Sequence, residues 1–296
     1  MRKGIRNWGP PLLLISPTIV LLGIFVYVLI GVNFSTAMTR DSALTASEFV
    51  GLQNFTDLLT EPRFLHSLAN LGVFTVFFMV GTMLFGFLWA WMLDKGVTAE
   101  GTFRSIYLFP MAVSFVASGV VWRWLLSSAT GDRASGLNRL LDSIGLGALQ
   151  NDWYNAPGWG MAAMAMPAIW QLAGYVMALF LAGFRGIPDE LREAARMDGA
   201  SEWKLYRHVV FPQLSPVALS ALVIVAHMSL KVFDLIMAIT GPVYVTEVPA
   251  TYMWVALTGG EYGKASAIAT VLLLLVCIFI VPYLIFTARA ERKARK

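Results

Sequence analysis

Six long, nearly continuous apolar runs leave this chain few folds to adopt. They cover residues 11–38, 66–93, 104–126, 158–184, 217–240 and 265–286. A helix needs about 20 apolar residues to cross the hydrocarbon core of a bilayer, and each run supplies that. The runs do not alternate between apolar and polar positions, which argues against a membrane β-barrel. Of the 296 residues, 57% are apolar and 14% charged, against roughly 25% charged in an average soluble chain. The expected fold is all-α: a polytopic membrane bundle of about six transmembrane helices, over residues 11–288, between basic tails at 1–10 and 289–296. Arg2, Lys3 and Arg6 before the first run, and Ser35-Thr36-Ala37 after it, have the look of a signal peptide. The first run is longer than the roughly 7–15 residues of a signal core, so an uncleaved first span is expected.

Charge sets the orientation. With six spans and both termini on one side, that side holds fifteen Lys and Arg and the other five, Arg40, Arg63, Arg133, Arg139 and Lys264. Cytoplasmic loops carry the basic excess, so both termini are expected in the cytoplasm. The basic residues are spread over separate loops rather than gathered in one patch, which speaks against nucleic-acid binding. The single cysteine, Cys277, can build neither a disulfide framework nor a cysteine metal site. The three histidines, His66, His208 and His227, fall on different segments, and no glycine-rich phosphate loop of the P-loop type occurs. No catalytic residue, metal or cofactor of this chain is expected.

One cytoplasmic stretch, 186–216, is a polar island between the fourth and fifth runs. It reads as two short helices around a turn. Pro188 suits a first helical turn, where its missing N–H is not needed. Asp189, Glu190 and Glu193 favour the positive end of the helix. Leu191, Ala194 and Ala195 form a small apolar face at i, i+3, i+4. Gly199 ends this helix as a left-handed residue would. Ser201 is placed to cap a second helix that carries Trp203, Tyr206 and Val210 on one side, and Pro212 and Pro216 mark the start of the fifth span.

The pattern Glu193-Ala194-Ala195, Asp198-Gly199-Ala200 and Pro212 resembles the coupling loop of permease subunits in binding-protein-dependent ABC importers. The resemblance extends over most of the chain. Residues Phe49 to Phe55 with Pro62-Arg63-Phe64, Trp170-Gln171 with Gly174-Tyr175, and Phe233-Asp234 with Thr240-Gly241-Pro242 are similar to carbohydrate permeases, in particular the first permease of maltose-type systems. The resemblance implies a membrane subunit that forms half of a translocation pore. A second permease would supply the other half, a separate ATPase would carry ATP and Mg, and an external solute-binding protein would deliver a carbohydrate. It implies a bacterial or archaeal cytoplasmic membrane. The glycine run usual around Gly241 is reduced, which leaves the particular sugar open, and the second loop helix has Tyr206 where phenylalanine is common. A permease for a non-sugar solute and a membrane-embedded enzyme stand as alternatives.

Ionisable groups at membrane depth are costly and face a bundle interior or a wet cavity. His227, Lys231 and Asp234, spaced by four and three, would share a face of the fifth span, with Lys231 and Asp234 able to pair. They either hold the bundle together or line a solute path. Trp170, Gln171 and Tyr175 on the fourth span and Tyr252 beyond it offer aromatic faces and an amide suited to a sugar, and serve equally in helix packing. Trp122, Arg123 and Trp124 read as an interfacial belt with a snorkelling arginine.

Overall fold

The structure, a computed structural model, describes residues 9–43, 45–156 and 158–294. Arg2, Lys3, Arg6, Pro157, Arg295 and Lys296, expected in tails and a loop, lie outside these residues. Helices α1 (Gly9–Leu22) and α2 (Leu29–Ala37) join through a π turn at Gly23–Val28. An antiparallel hairpin follows, β1 (Thr39–Ser42) and β2 (Thr45–Phe49), with Arg40 opposite Glu48. Then come α3 (Gln53–Thr60), α4 (Pro62–Asp94), α5 (Glu100–Leu108), α6 (Phe115–Leu125), α7 (Gly136–Ser143) and α8 (Gly160–Arg185). The rest is α9 (Asp189–Met197), α10 (Glu202–Leu205), α11 (Phe211–Leu230), α12 (Asp234–Ile239), α13 (Pro249–Thr258) and α14 (Tyr262–Ala294).

Among the described residues, five helical stretches are long and apolar enough to cross a membrane: Pro11–Ala37, Pro62–Asp94, Gly160–Arg185, Glu202–Leu230 and Tyr262–Ile285. The third expected span, 104–126, is not straight. Glu100–Ala112 and Phe115–Leu125 meet at 96°, where Pro110 closes a 3-10 turn and Val113 is extended. Ser114 then caps α6, its Oγ accepting from the Ala117 N–H at 3.3 Å. The fifth expected span, 217–240, stops at Leu230 and restarts as α12. Its start differs too. The second loop helix runs directly into the span as Glu202–Leu230, so Pro212 and Pro216 lie inside the helical stretch. Proline removes an N–H and presses on the carbonyl four residues back, and the π turn Tyr206–Val210 just before Pro212 widens the backbone at that place. The wider turn also breaks the expected face: Trp203 points outward while Val210 is buried.

The chain divides into two compact units. In the unit of residues 1–62 and 252–273, Asn33 Nδ2 reaches Thr270 Oγ1 at 3.0 Å, and Asn54 Nδ2 bonds the carbonyls of Ala37 and Thr39 at 2.8 and 2.9 Å. Glu61 accepts from the Tyr252 hydroxyl at 2.6 Å and from Lys264 Nζ at 2.9 Å.

In the unit of residues 63–251 and 274–296, α8 is the most deeply buried span. Small residues let its neighbours approach, as membrane helices require when lipid offers no hydrophobic contrast. A side chain at Gly86 of α4 would strike Val176, and one at Gly183 would strike Leu214 of α11. Gly174 lies against the Tyr107 carbonyl, and Gly119 of α6 against Ala238 of α12. Helix α4 buries a stripe at three- and four-residue steps, Phe64, Ser67, Leu71, Phe74, Phe78, Thr82, Gly86, Ala90 and Leu93, the spacing of one helix face. At its first turn Arg63 grips Glu247 with two bonds of 2.8 and 2.7 Å. Asn70 Nδ2 donates to the Glu247 carbonyl at 2.9 Å, and the His66 ring stacks on Tyr244 at 4.3 Å. Glu247 has no exposed side-chain surface, whereas Arg63 keeps 40%.

Gly174→Ala forces a methyl group into backbone and should cost about 1–3 kcal/mol. Gly101→Ala enters open space and should instead stabilise by about 0.5–1 kcal/mol; thermal unfolding in detergent reads both signs. Arg63→Ala leaves a buried carboxylate without its guanidinium and should cost about 3–5 kcal/mol. Glu247→Leu should cost less, because the remaining arginine reaches water, and the double variant should recover much of the loss in the same assay.

Candidate functional site

The polar loop after α8 is built as a rigid projection. Pro188 precedes the helix rather than standing inside it, at φ −56° and ψ 135°. Asp189 and Glu190 occupy the first turn of α9 and Arg196 the last, each charge matched to the helix dipole. The helix ends in a Schellman cap: the Gly199 N–H donates to the Arg196 carbonyl and the Ala200 N–H to the Ala195 carbonyl, both at 3.0 Å. That cap needs a left-handed residue after the helix, and Gly199 supplies it at φ +75°. In Asp198-Gly199-Ala200 the left-handed position thus falls on the glycine, the residue that adopts it without strain. Ser201 sits at the cap position of α10 without a side-chain bond.

Arg192 anchors α9, and the sequence reading missed it. Its Nη1 bonds Asp94 Oδ2 at 3.0 Å, at the end of α4, and its Nη2 bonds the Phe184 carbonyl in α8 at 2.8 Å. The opposite face stays open. Glu193 and Ala194 are exposed, Ala195 is half-buried, and Met197 keeps 89% of its surface.

Midway along α4 and α8, the interruption of the fifth span makes the second feature. The helix ends after Leu230, and Lys231 and Phe233 leave helical geometry before Asp234 opens α12. His227, Lys231 and Asp234 therefore do not share a continuous helix face. No ion pair joins Lys231 to Asp234 among the described residues. The break nevertheless brings all three to one cavity of about 230 Å³, walled on its apolar side by Phe74, Phe78, Phe115 and Phe233. The His227 Nδ1 has no hydrogen-bond partner among the described residues. A cavity of this make-up offers ring faces, one cation, one carboxylate and one imidazole nitrogen to a polar solute. No group of three or more His, Cys, Asp or Glu able to hold a metal occurs among the described residues.

The other expected path residues fall elsewhere. Gln171 is buried, and its Nε2 donates to the Val113 carbonyl freed by the break before α6; its Oε1 is unpartnered among the described residues. Trp170 is 38% exposed and faces Trp122 with ring centroids 6.2 Å apart. Tyr175 is half-buried further along α8. Tyr252 is buried, its pKa pushed up to about 12, first by burial and then by the hydroxyl's bond to Glu61. It stays protonated at physiological pH and is committed to that contact.

Comparison with known proteins places this arrangement. Residues 82–296 match the family described as binding-protein-dependent transport system inner membrane component. A probable ABC transporter permease of Pyrococcus horikoshii is 38% identical over 95% of this chain and 97% of its own. The xylose/arabinose import permease XacH of Haloferax volcanii is 33% identical over 94% of this chain and 86% of its own. A chain of the crystal structure of a bacterial ABC transporter for the acidic polysaccharide alginate shares the fold, with TM-score 0.77, 23% identity and 98% of both chains covered. The chain belongs to the family of binding-protein-dependent transport system inner membrane components, the membrane permease subunits of ABC transporters.

Proposed function

We propose that this chain forms half of the translocation pore of an ATP-driven carbohydrate importer, and that α9 is its coupling helix. The observation that carries the coupling is the geometry of α9: a short helix fixed by Arg192 and by the glycine cap, with Glu193, Ala194 and Met197 facing outward. A partner ATPase binding ATP and Mg seats on that face, and the positive-inside count of the sequence supports a cytoplasmic position for that face and for both termini. The carbohydrate assignment draws on the sugar-importing relative from Haloferax volcanii and on the cavity chemistry. Aromatic walls stack on sugar C–H faces, while Lys231, Asp234 and His227 bond hydroxyl groups. Lys231 and Asp234 line the path, with Trp170 and Tyr175 on the neighbouring span. Gln171 holds the backbone at the break before α6, and Tyr252 is engaged with Glu61 in its own unit. A solved relative complexed with a pentasaccharide-bound periplasmic protein supports an external binding protein as the donor, and a second permease completes the pore.

The deciding measurement is ATP hydrolysis by the complete transporter in lipid discs, read across a panel of sugar-loaded binding proteins. One sugar should stimulate it; stimulation by a non-sugar solute alone would replace carbohydrate in this reading. Gly199→Pro cannot adopt φ +75° and should abolish the stimulation. Gly199→Asn, which tolerates the left-handed region, should retain part of it. Equal stimulation in both variants would remove α9 from the coupling role. Asp234→Asn and Lys231→Met should each reduce uptake at least tenfold, about 1.4 kcal/mol or more, while leaving ATPase assembly intact. Unchanged uptake in both would take them out of the path.

A further inference from the structure

The segment between α6 and α8 carries an apolar helix face that the described residues leave partly uncovered: Leu137 and Leu141 are half-buried, Leu140 and Ile144 exposed. Leu137, Leu140, Leu141 and Ile144 follow one another at i, i+3, i+4 and i+7 along α7, which defines a single stripe. Leu140 is 55% and Ile144 59% exposed, and Leu149 just beyond is exposed as well. Arg139, Asp142 and Ser143 lie outside the stripe and are exposed.

Two tethers fix where this helix stands. Gly136, at φ +55°, is so close to the end of α6 that a side chain there would strike the carbonyls of Trp124 and Leu125. Two residues on, buried Asn138 bonds backbone on both sides. Its Nδ2 donates to the carbonyls of Ser127, at 3.2 Å, and of Asn151, at 3.0 Å. Its Oδ1 accepts from Trp153 Nε1 at 2.8 Å, and the next turn leads into α8, where Gly160 abuts the Tyr154 carbonyl. Helix α7 is thereby held level with the last turn of one membrane segment and the first turn of another. Trp124 and Trp159, at those same two ends, are themselves 61% and 66% exposed, and tryptophan favours the membrane–water boundary.

We infer that α7 lies flat in the headgroup layer of the leaflet opposite the α9 loop, its leucine–isoleucine stripe inserted among acyl chains and Arg139 directed to lipid phosphates. The occupant assigned to the stripe is lipid rather than protein because α7 is tethered at Gly136 to the end of α6, a membrane segment whose own Val116, Val120 and Trp124 are exposed. Amphipathic helices with this division of faces bind at such depths. The helix sets the height of the bundle in the membrane and keeps α6 and α8 at a fixed separation.

The chain has one cysteine, so a Cys277→Ala background accepts a single spin label at Leu140→Cys, Ile144→Cys or Ser143→Cys. With the complete transporter in lipid discs, collision rates with oxygen and with a water-soluble nickel chelate are measured. The first two positions should favour oxygen several-fold and the third should favour nickel. Nickel-dominated collisions at all three would overturn the inference. Protection of the first two from both reagents would overturn it as well, because protein would then cover the stripe. Addition of the external binding protein should leave the values unchanged; a fall in both collision rates on its addition would reassign the stripe to that partner. The readout requires no sugar, so it stands apart from the substrate assignment.

Discussion

A backbone that leaves helical geometry inside a membrane must find partners for the groups it frees, since lipid supplies none. This chain leaves it twice in the same region, before α6 and after α11, and the rest of the larger unit is arranged around those two events. At the first break Gln171 reaches across from α8 to take the Val113 carbonyl, and Ser114 caps the helix that resumes. At the second, the Lys231 and Val232 N–H groups fall back on the carbonyls of Met228 and Ser229 at 3.3 and 3.2 Å. The resumed helices α6 and α12 then pack on one another through Gly119 and Ala238. Irregular backbone at membrane depth is tolerated where it is enclosed by protein or lines a water-filled cavity. The cavity at Lys231 and Asp234 fits that condition.

Helix α8 ties these features together. Its glycines meet α11 and the backbone of α5, and Val176 receives Gly86 of α4. With little side-chain bulk at these crossings, α8 has few alternative registers against its neighbours. Phe184 lies in the last turn of the same helix, and its carbonyl is bound by Arg192 of the loop. The loop is therefore attached to the most buried element of its unit rather than hung from a flexible connection.

Much of this was legible in the sequence where a residue has one conformational use. Gly199 marks the end of α9 because a residue in the left-handed region is needed there, and its flanking pattern stated both the helix and its direction. The apolar runs located the membrane helices because their length leaves no other placement. The breaks were less legible. Pro110 followed by Ser114 is a readable signal for the first, masked by the apolar residues on both sides of it. The second has no proline or glycine at Lys231, Val232 or Phe233; tertiary contact between α6 and α12 decides it. Hence the expected face of His227, Lys231 and Asp234 failed as geometry, although the three residues still meet at one cavity. Arg192 and the Arg63–Glu247 pair were out of reach for a related reason, as their partners lie far along the chain.

The continuity of α10 into α11 bears on how the proposed coupling would operate. Two helices joined by a bend at Pro212 could absorb a displacement of the loop in the bend. Instead the stretch Glu202–Leu230 is one helical rod of 29 residues, about 44 Å long at 1.5 Å per residue, with its proline strain taken up by a π turn. One end begins two residues after the cap of α9, and the other ends at Lys231 on the cavity wall. A rod transmits rotation along its axis, whereas the non-helical residues Lys231 to Phe233 are where such a rotation can change backbone angles without disrupting a full helix. In the proposed importer the break in the fifth span would thus serve two ends at once. It would present polar groups to a solute, and it would let α11 move while α12 stays packed on α6.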